Sequence, residues 1–307
     1  MSMNRLDLKV GFSCNLRCKF CIQGEKRFQY KPKTLKELTK LMKQNYETGI
    51  KEIVLTGGEP TIHKDIIDII KCAKKMGYKL IQIQSNGRMF CNINFCKSLI
   101  SAGATEFALS LHGSSAKIHD NITQTKGAFK QTINGIKNLK DLDQHVMVNV
   151  VITKNNYKDL PNISKLFIYL GVNFFQFAFV HINWQNRYLS TKKDSKLIVP
   201  KKSEIMPYVK KALDMGIKSG KRVVTEAIPY CFMQGYENCV GEKTIPQTIV
   251  EDATRTIEDF GKYRKNHAKI KTLKCDNCFY FNICEGPWKE YPELYGWGEF
   301  KPVISRE

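Results

Sequence analysis

The sequence lacks the usual signatures of a membrane or secreted protein. Its 307 residues contain no apolar run that approaches the roughly 18 residues a membrane-spanning helix needs. Residues 1–10 alternate charged and apolar side chains and have no apolar stretch of the kind found in signal peptides. We therefore expect no membrane partner and a cytoplasmic location, where thiols stay reduced.

Acidic residues are scarce relative to basic ones. The chain has 29 Asp and Glu against 49 Lys and Arg, which gives a formal net charge of +20. This excess fits a solvated lysine-rich surface, or attraction of an acidic substrate such as an acidic leader peptide or a phosphorylated small molecule. The lysines do not cluster with an aromatic stacking motif, so we expect no nucleic acid partner, and RNA modification is the weaker alternative.

Low-complexity tracts and internal repeats beyond a strand–helix period are also absent. Apolar residues make up 42% and charged residues 25%, which argues against wholesale disorder. At about 150 residues per domain, the length suggests roughly two domains, although one α/β barrel could use most of it.

Short apolar segments alternate with helical patterns through the first 180 residues. Such segments are typical of parallel strands covered on both faces. Six units are too few for an eight-fold barrel, so a partial open barrel and a doubly wound sheet both fit, with ligands beyond the strands' carboxyl ends. The six predicted strands are Leu6–Val10, Glu52–Thr56, Leu80–Gln84, Glu106–Leu111, Val146–Ile152 and Asn173–Val180.

The chain from about residue 221 has a different character. It shows no clear strand–helix alternation, holds several cysteines, and ends rich in aromatic residues. We expect a core domain over residues 1–220 and a second, smaller unit over residues 221–307 that is tied together by metal. The polar segment 183–202 is predicted to be a linker or a lid.

Three cysteines stand close together after the first predicted strand, in the order Cys14-x3-Cys18-x2-Cys21. Clustered thiols in a reducing compartment predict metal or iron–sulfur ligands before disulfides. Three thiolates on one short loop can hold three corners of a cubane cluster and leave the fourth iron open for a chelating ligand. A structural zinc site is the alternative, but it normally takes four protein ligands.

This cysteine triplet resembles the signature of the radical S-adenosylmethionine (SAM) superfamily. Other segments on consecutive loops are similar to that family's pattern. They are Phe20 before the last cysteine, Gly57-Gly58-Glu59-Pro60 after the second strand, Ser85-Asn86-Gly87 after the third, and Ser110-Leu111-His112-Gly113 at the end of the fourth.

The resemblance implies a cofactor pair and a set of residues that bind it. Cys14, Cys18 and Cys21 would be essential for catalysis as ligands of a [4Fe–4S] cluster whose open iron chelates SAM. The resemblance also implies SAM-binding residues: Phe20, Gly57, Gly58, Glu59, Pro60, Ser85, Asn86, Ser110, His112 and Asn149. We expect an α/β fold, a partial (β/α)6 parallel barrel with a small C-terminal Cys-rich cluster-binding domain.

A second cysteine group, Cys275-x2-Cys278-x5-Cys284, is similar to the C-terminal extension called SPASM or its shortened form, twitch. The full SPASM pattern has a further cysteine where this chain has Trp288, and another downstream. The resemblance therefore implies one auxiliary [4Fe–4S] cluster, completed by Cys231 or alternatively by Cys239. A four-cysteine zinc knuckle is the alternative interpretation.

Together these patterns predict a radical SAM enzyme that abstracts hydrogen from a peptide or protein, leading to a crosslink, thioether, epimerisation or oxidation. The alternatives are a small-molecule substrate, such as a cofactor or carbohydrate precursor, and a non-catalytic zinc-binding module. We expect an electron donor such as flavodoxin or ferredoxin as a partner. The first strand begins within about six residues of Met1. A leader peptide would then need a separate leader-peptide-binding protein or direct contact with the basic surface.

Overall fold

A computed structural model describes residues 4–304 of the chain. Its centre is one sheet of nine strands. The strands are β1 Arg5–Gly11, β2 Glu52–Gly57, β3 Leu80–Ser85, β4 Glu106–Ser110, β5 Val146–Ile152, β6 Phe174–Phe179, β7 Arg222–Glu226, β8 Thr248–Glu251 and β9 Thr256–Ile257.

Helices connect the strands and cover one face of the sheet. Among the described residues, no helix is both long enough and apolar enough to cross a membrane. The helices are α1 Lys26–Gln29, α2 Leu35–Glu47, α3 Ile66–Met76, α4 Ile93–Ala102, α5 Ala116–Thr123, α6 Ala128–Asp141, α7 Leu160–Tyr169, α8 Lys192–Ile198, α9 Lys202–Lys218, α10 Phe260–Tyr263 and α11 Glu290–Tyr295.

The strand order decides between the two architectures that fit the sequence. The strands lie in the order β7-β6-β5-β4-β3-β2-β1-β8-β9, so β1 to β7 follow one another across the sheet, and each pairs in parallel with the next. Right-handed crossovers in an unreversed order place every helix on the same face. A doubly wound sheet needs a reversal of order, which this sheet lacks between β1 and β7. The expected α/β partial barrel is confirmed.

The last three strands were not predicted from the sequence. β7 extends the sheet beside β6, and β8 pairs in parallel with β1 on the opposite side. β9 is antiparallel to β8. Residues 222–257 therefore contribute to the same sheet as the core, and the domain boundary expected after residue 220 stays a prediction.

The two faces of the strands differ in chemistry. Leu6, Leu8 and Val10 of β1 are buried in the apolar core, and Asp7 and Lys9 alternate with them on the other face. The same alternation runs through β5, where apolar Val146, Val148 and Val150 are buried. In β1 and β5 the buried apolar residues thus face the helices, and less buried residues alternate with them on the inner face of the barrel. Consecutive residues of β2 and β6 are buried, so these strands are covered on both faces, as expected.

Polar side chains pair across strands on that inner face. Lys9 Nζ on β1 lies 2.8 Å from Thr56 Oγ1 on β2. Gln82 Nε2 on β3 donates to Glu106 Oε2 on β4 at 2.7 Å. These bonds satisfy polar groups that the narrow interior would otherwise leave without partners.

Candidate functional site

The three cysteines of the N-terminal motif lie on the loop that follows β1, at the carboxyl end of the sheet. Cys14, Cys18 and Cys21 are each half-buried. The backbone N–H of Leu16 donates to Cys14 Sγ at 3.4 Å. The backbone N–H of Arg17 donates to the carbonyl of Thr123, the last residue of α5, at 3.0 Å, so the loop is held against that helix. We call these three cysteines the N-terminal site.

The thiols of the N-terminal site are close enough to affect one another's ionisation. Burial, with smaller contributions from the charges of Glu59 and Cys21, raises the pKa of Cys14 to about 11. Burial also raises the pKa of Cys18 well above its usual value, with added contributions from Cys21 and Cys14. Neighbouring thiols such as those of Cys14 and Cys18, which resist deprotonation without a cation, fit a site whose metal displaces their protons.

Gly57 and Gly58 let the loop after β2 pack directly against the loop that bears the cysteines. Gly57 has a φ of +127°, and a Cβ there would lie 2.0 Å from the carbonyl oxygen of Gly11. A Cβ on Gly58 would lie 2.3 Å from the carbonyl oxygen of Ser13. The backbone N–H of Glu59 donates to that same carbonyl at 2.8 Å. Glycine is therefore required here by the protein's own backbone.

Glu59 joins the loops after β2 and β3. Its carboxylate is buried, accepts from Ser85 Oγ and from the backbone N–H of Asn86, both at 2.7 Å, and accepts from the backbone N–H of Thr61 at 3.0 Å. Burial raises its pKa, against the effect of these hydrogen bonds. Both carboxylate oxygens thus have protein partners, and the expected contacts of Glu59, Pro60 and Ser85 with SAM stay predictions.

Asn86 connects this loop to the N-terminal site. Its Nδ2 donates to Asn15 Oδ1 at 2.6 Å and lies 3.9 Å from Cys14 Sγ. The guanidinium of Arg88 donates to the backbone carbonyl of Asn15 at 2.6 Å. Asn15 and Arg88 were not predicted as site residues, and no motif marks them, because their role comes from contacts between separate loops.

Ser110 and Asn149 stand side by side across β4 and β5, since the two residues are partners in the register of these strands. Gln176 on β6 is the register partner of Asn149 on the other side. Asn149 Oδ1 is buried and has no hydrogen-bond partner among residues 4–304. An acceptor without a partner on the inner face fits a ligand contact, as expected for Ser110 and Asn149, whose roles stay predictions.

His112 and Phe20 meet above the end of β4. The two rings are edge to face, with centroids 4.8 Å apart. His112 Nδ1 accepts from the backbone N–H of Val151 at 3.2 Å. Burial lowers the pKa of His112 well below its usual value, and His119 lowers it further, so the ring is neutral near pH 7. These positions are compatible with the predicted SAM contacts of Phe20 and His112 but do not test them.

His119, which carried no signal in the sequence, supports His112. Its Nδ1 accepts from the backbone N–H of His112 at 3.0 Å, and the two rings stack with centroids 5.7 Å apart. Burial lowers the pKa of His119 to about 4. A positioning role of this kind depends on the turn between β4 and α5, and spacing alone does not reveal it.

Four cysteines from two separate segments line one cavity near the end of the chain. We call them the C-terminal site: Cys231, Cys275, Cys278 and Cys284. The walls between them are mostly apolar and include Trp297 and Phe300. Cys239 is buried elsewhere and does not line this cavity. The structure therefore places Cys231, rather than the alternative Cys239, with the other three thiols.

The chemistry around the C-terminal site fits a four-thiolate cluster. Backbone N–H groups of Gly286 and Val303 donate to Cys284 Sγ and Cys278 Sγ, each at 3.4 Å. Such donors stabilise thiolate sulfur in iron–sulfur proteins. Burial raises the pKa of Cys231 to about 12, with contributions from the other three thiols. Among residues 4–304 no group of three His, Cys, Asp or Glu side chains is arranged to hold a single metal ion.

A buried ionic network, which the sequence did not predict, surrounds Glu285, the residue that follows Cys284. Arg264 makes two hydrogen bonds to Glu285, at 2.6 Å and 2.7 Å. Lys269 Nζ lies 3.1 Å from Glu285 and 2.6 Å from Glu242. Glu242 in turn accepts from the backbone N–H of Ala227, directly after β7, at 2.7 Å. The network thus joins the C-terminal site to the rim of the barrel.

The segment predicted as a linker or lid contacts the N-terminal site. Asn186 Nδ2 donates to the backbone carbonyl of Cys21 at 2.9 Å, and Asn183 Nδ2 donates to that of Ile22 at 2.6 Å. The loop after β6 therefore reaches the loop after β1, and its role as a lid stays a prediction.

The fold resembles solved enzymes that carry SAM. Streptococcus suis SuiB bound to S-adenosylmethionine superposes with a TM-score of 0.67 at 17% identity, over 93% of this chain and 73% of SuiB. A structure of anSMEcpe with bound AdoMet and a peptide gives a TM-score of 0.59 at 19% identity, over 72% of this chain and 63% of that one. At these identities the likeness concerns the fold.

Sequence relatives match the core half of the chain. An AdoMet-dependent heme synthase of Oleidesulfovibrio alaskensis is 31% identical over 165 residues, 53% of this chain and 42% of that protein. A probable GTP 3′,8-cyclase of Saccharolobus islandicus is 30% identical over 171 residues, 54% of each. The chain thus spans about half the length of the curated relatives it matches.

A family model described as the radical SAM superfamily matches residues 8–167, just over half of the chain. The matched region runs from β1 to α7 and includes the cysteine motif and the loops that pack on it. Enzymes of this superfamily use a [4Fe–4S] cluster and SAM. The chain belongs to the radical SAM superfamily.

Proposed function

We propose that this radical SAM enzyme acts on a peptide or protein and that its C-terminal site holds an auxiliary [4Fe–4S] cluster. The observation that carries the proposal is the convergence of Cys231, Cys275, Cys278 and Cys284 on one apolar cavity. Four thiols close the coordination of a cubane, so such a cluster would transfer electrons or support structure, and would leave SAM to the N-terminal site.

The residues near the N-terminal site would have distinct tasks. Cys14, Cys18 and Cys21 would bind three irons of the first cluster. Asn149 offers an unused acceptor on the inner face. When bound, the cluster and SAM supply a 5′-deoxyadenosyl radical, which removes a hydrogen atom from the substrate.

Other side chains would hold this arrangement in place. Glu59 fixes the loops after β2 and β3 to each other through Ser85 and Asn86. Neutral His112 and its partner His119 close the site beside Phe20 and contribute no charge. Rigid packing of this kind keeps water away from a reactive species.

The likeness in fold also bears on the class of substrate. Among the solved structures with this fold is SuiB bound to its precursor peptide SuiA, which matches 98% of this chain with a TM-score of 0.65.

A small-molecule substrate is the second candidate. The heme synthase and GTP cyclase relatives favour it, because their identity to this chain reaches 30–31% over the core. That similarity extends over only 53–54% of the chain, which weakens its bearing on the substrate.

The test uses anaerobically purified holoenzyme, SAM, dithionite and a short peptide encoded next to the gene. We expect 5′-deoxyadenosine formation coupled to a change in the mass of the peptide. GTP and a porphyrin precursor serve as parallel substrates. Conversion of either one, with the peptide unchanged, would replace the peptide proposal with the small-molecule alternative.

A further inference from the structure

The chain makes a strained turn at Ala227, directly after β7. Ala227 is fully buried and has a φ of +59°, in the left-handed region that favours glycine. A residue with a Cβ stays in this conformation only when surrounding contacts hold it there. Four residues later the same segment reaches Cys231, the one cysteine of the C-terminal site that lies outside residues 275–284. The turn therefore sets the direction in which the chain approaches the other three cysteines.

Two charged side chains bond to the two polar backbone groups of Ala227. Lys202 Nζ donates to the carbonyl oxygen of Ala227 at 2.8 Å. The backbone N–H of Ala227 donates to Glu242 Oε1 at 2.7 Å. Hydrogen bonds to ionisable groups of this kind are stronger than those between neutral groups. The pair is therefore suited to keep a strained residue in place.

The surroundings of Lys202 indicate that the bond to Ala227 is the reason for a lysine at this position. Lys202 is completely buried, and its Nζ lies 3.2 Å from the centre of the Phe179 ring and 4.7 Å from that of Tyr291. Within residues 4–304, its amine forms no salt bridge and has the carbonyl of Ala227 as its hydrogen-bond acceptor. An apolar side chain would fill this space without the cost of burying an amine.

Glu242 links the turn to the segment that carries the other cysteines. The same oxygen that accepts from the turn also accepts from Lys269 Nζ at 2.6 Å. Lys269 lies 3.1 Å from Glu285, which directly follows Cys284. The ionic network therefore connects the turn before Cys231 with the loop that bears Cys284.

The segment after the turn makes direct contact with the other cysteines. The backbone N–H of Tyr230 donates to the thiol of Cys284. The ring of Tyr230 stacks on that of Tyr280, with centroids 4.7 Å apart. Tyr280 lies between Cys278 and Cys284 in the sequence. A change of direction at the turn would therefore displace Tyr230 and Cys231 together.

We propose that Lys202 is a positioning residue for the auxiliary cluster, because it holds Ala227 in the left-handed turn that brings Cys231 to the other three thiols. The inference rests on the proposed function, since it requires a cluster in the C-terminal site. Lys202 lies in the first turn of α9 and, within the described part of the chain, donates no hydrogen bond to a cysteine. It acts on the cluster through the backbone of the turn.

General stabilisation of the core is the alternative to a positioning role, and a glycine distinguishes the two. Glycine adopts the left-handed conformation without strain. If the amine of Lys202 holds the turn, Ala227→Gly makes that amine largely dispensable. If the amine only stabilises the surrounding core, Ala227→Gly leaves the effect of losing it unchanged.

The experiment examines the C-terminal site alone, in the full chain. Every protein carries Cys18→Ala, which removes a ligand of the N-terminal site, so that bound iron reports on the C-terminal site. To this parent we add Lys202→Met, which keeps the length of the side chain and removes the donor, or Ala227→Gly, or both. Lys211→Met, at an exposed position of α9, is the matched control.

Three measurements follow anaerobic reconstitution: the content of iron and sulfide, the EPR spectrum of the dithionite-reduced cluster, and the rate at which a chelator removes iron. We expect Lys202→Met to lose iron about tenfold to a hundredfold faster than the parent, as is typical when support for a metal ligand is removed. Adding Ala227→Gly should return the rate to within about threefold of the parent and restore the EPR spectrum. Ala227→Gly alone and Lys211→Met should keep the iron.

Three results would overturn the inference. An unchanged rate and spectrum in Lys202→Met would show that the turn holds without the amine. Loss of iron that Ala227→Gly does not reverse, whether or not the variant folds, would show that Lys202 stabilises the core in general. If the Cys18→Ala parent itself binds no iron, the proposed auxiliary cluster fails and the inference with it. That failure is visible in the parent, before Lys202 is changed.

Discussion

The N-terminal and C-terminal sites use the same side chain in opposite settings. Cys14, Cys18 and Cys21 come from a single loop at the rim of the barrel, and an open cleft reaches two of them. The four cysteines of the C-terminal site come from two segments, one with Cys231 and one with the other three, and line a mostly apolar cavity. Three thiols suit a cluster that keeps one iron free to bind SAM, whereas four thiols suit one that only exchanges electrons or holds the fold.

Their supporting residues differ as well. A buried carboxylate held by hydrogen bonds, Glu59, and a neutral imidazole, His112 with its lowered pKa, accompany the N-terminal site. Ion pairs accompany the C-terminal site, where Arg264 and Lys269 hold Glu285. Hydrogen bonds between loops thus support the first site, and buried ion pairs fix the loop of the second.

Replacing Cys18 with Ala should have the largest effect on activity, and it should distinguish the N-terminal site from the C-terminal site. We expect SAM cleavage to be abolished, because two thiolates cannot hold a cubane with one open iron. Iron content should fall from about eight to about four per chain, since the C-terminal site keeps its cluster. Analysis of iron and 5′-deoxyadenosine measures both effects, and 5′-deoxyadenosine formation at the normal rate in the variant would contradict the assignment.

Replacing Cys278 with Ala tests the C-terminal site. The variant should also lose about four irons per chain, but dithionite should still drive SAM cleavage. Conversion of the substrate should stop. Cys239→Ala is the matched control, because Cys239 is buried outside the cavity and its loss should leave iron unchanged. Loss of zinc instead of iron would support the zinc alternative.

Glu285→Gln is predicted to destabilise the protein by about 3–5 kcal/mol, because it leaves Arg264 and Lys269 buried beside a neutral partner. Burial alone would raise the pKa of Glu285, but these two cations outweigh it and hold the pKa below its usual value. Urea denaturation measures the change. Glu293→Gln on the exposed side of α11 is the control and should stay within about 0.5 kcal/mol of wild type. If the two variants unfold with similar free energies, the ionic network does not stabilise the protein and does not distinguish the C-terminal site from the N-terminal site.

The stability of the protein should depend on pH through His119, a buried neutral histidine beside the N-terminal site. The pKa of His119 falls from 6.5 to about 4 on folding, so the unfolded chain binds this proton first. Stability is complete above pH 6.5 and is lost as the pH falls toward 4, by about 3 kcal/mol for this residue. His119→Asn keeps an acceptor for the His112 N–H and should flatten that dependence. An unchanged slope between pH 4 and 6.5 would argue against a buried neutral ring.

Glu59→Gln should have the smallest effect, about 1–3 kcal/mol, because an amide nitrogen replaces one of the acceptors for Ser85 and Asn86. We also expect weaker binding of SAM, since these loops hold the site together. Calorimetric titration with SAM and urea denaturation measure the two consequences. Ser85→Ala removes the bond that Ser85 Oγ donates to Glu59 and the bond that it accepts from the backbone N–H of Gly87, but it keeps Asn86 bonded to a carboxylate and should cost less. If Glu59→Gln lowered the free energy of unfolding as much as Glu285→Gln does, the two sites would not differ in how strongly their supporting residues stabilise the fold.

The core of the fold was readable from the sequence because its strands carry a local signal. The predicted strand at Val146–Ile152 has the bounds that the structure shows, and Thr34 with Glu37 forms the capping box that starts α2. β8 and β9 contain only four and two residues, and their pairing with distant partners leaves no local pattern. Short strands of this kind depend on tertiary contacts, which sequence periodicity does not encode.

The candidate sites, like the fold, could be predicted from the sequence only in part. Spacing within a few residues predicted the cysteine groups, because ligands on one loop have fixed separations. The partners of those ligands could not be predicted in this way. Lys269 reaches Glu242 and Glu285 from a different segment, and the acceptor role of His119 depends on how one turn folds back. Contacts of this kind appear only once the chain is folded.

The pairing of β8 with β1 bears on how the polypeptide matures during synthesis. Lys33, shortly after the cysteine motif, donates to the backbone carbonyl of Asp252 at 2.8 Å, and Lys26 forms an ion pair with the side chain of Asp252 at 2.7 Å. The ribosome makes residue 252 more than two hundred residues after the motif. Because such long-range contacts form late, the loop that holds Cys14, Cys18 and Cys21 gains its last anchors near the end of translation. Iron delivery to the nascent chain would therefore meet a loop that is still loosely held.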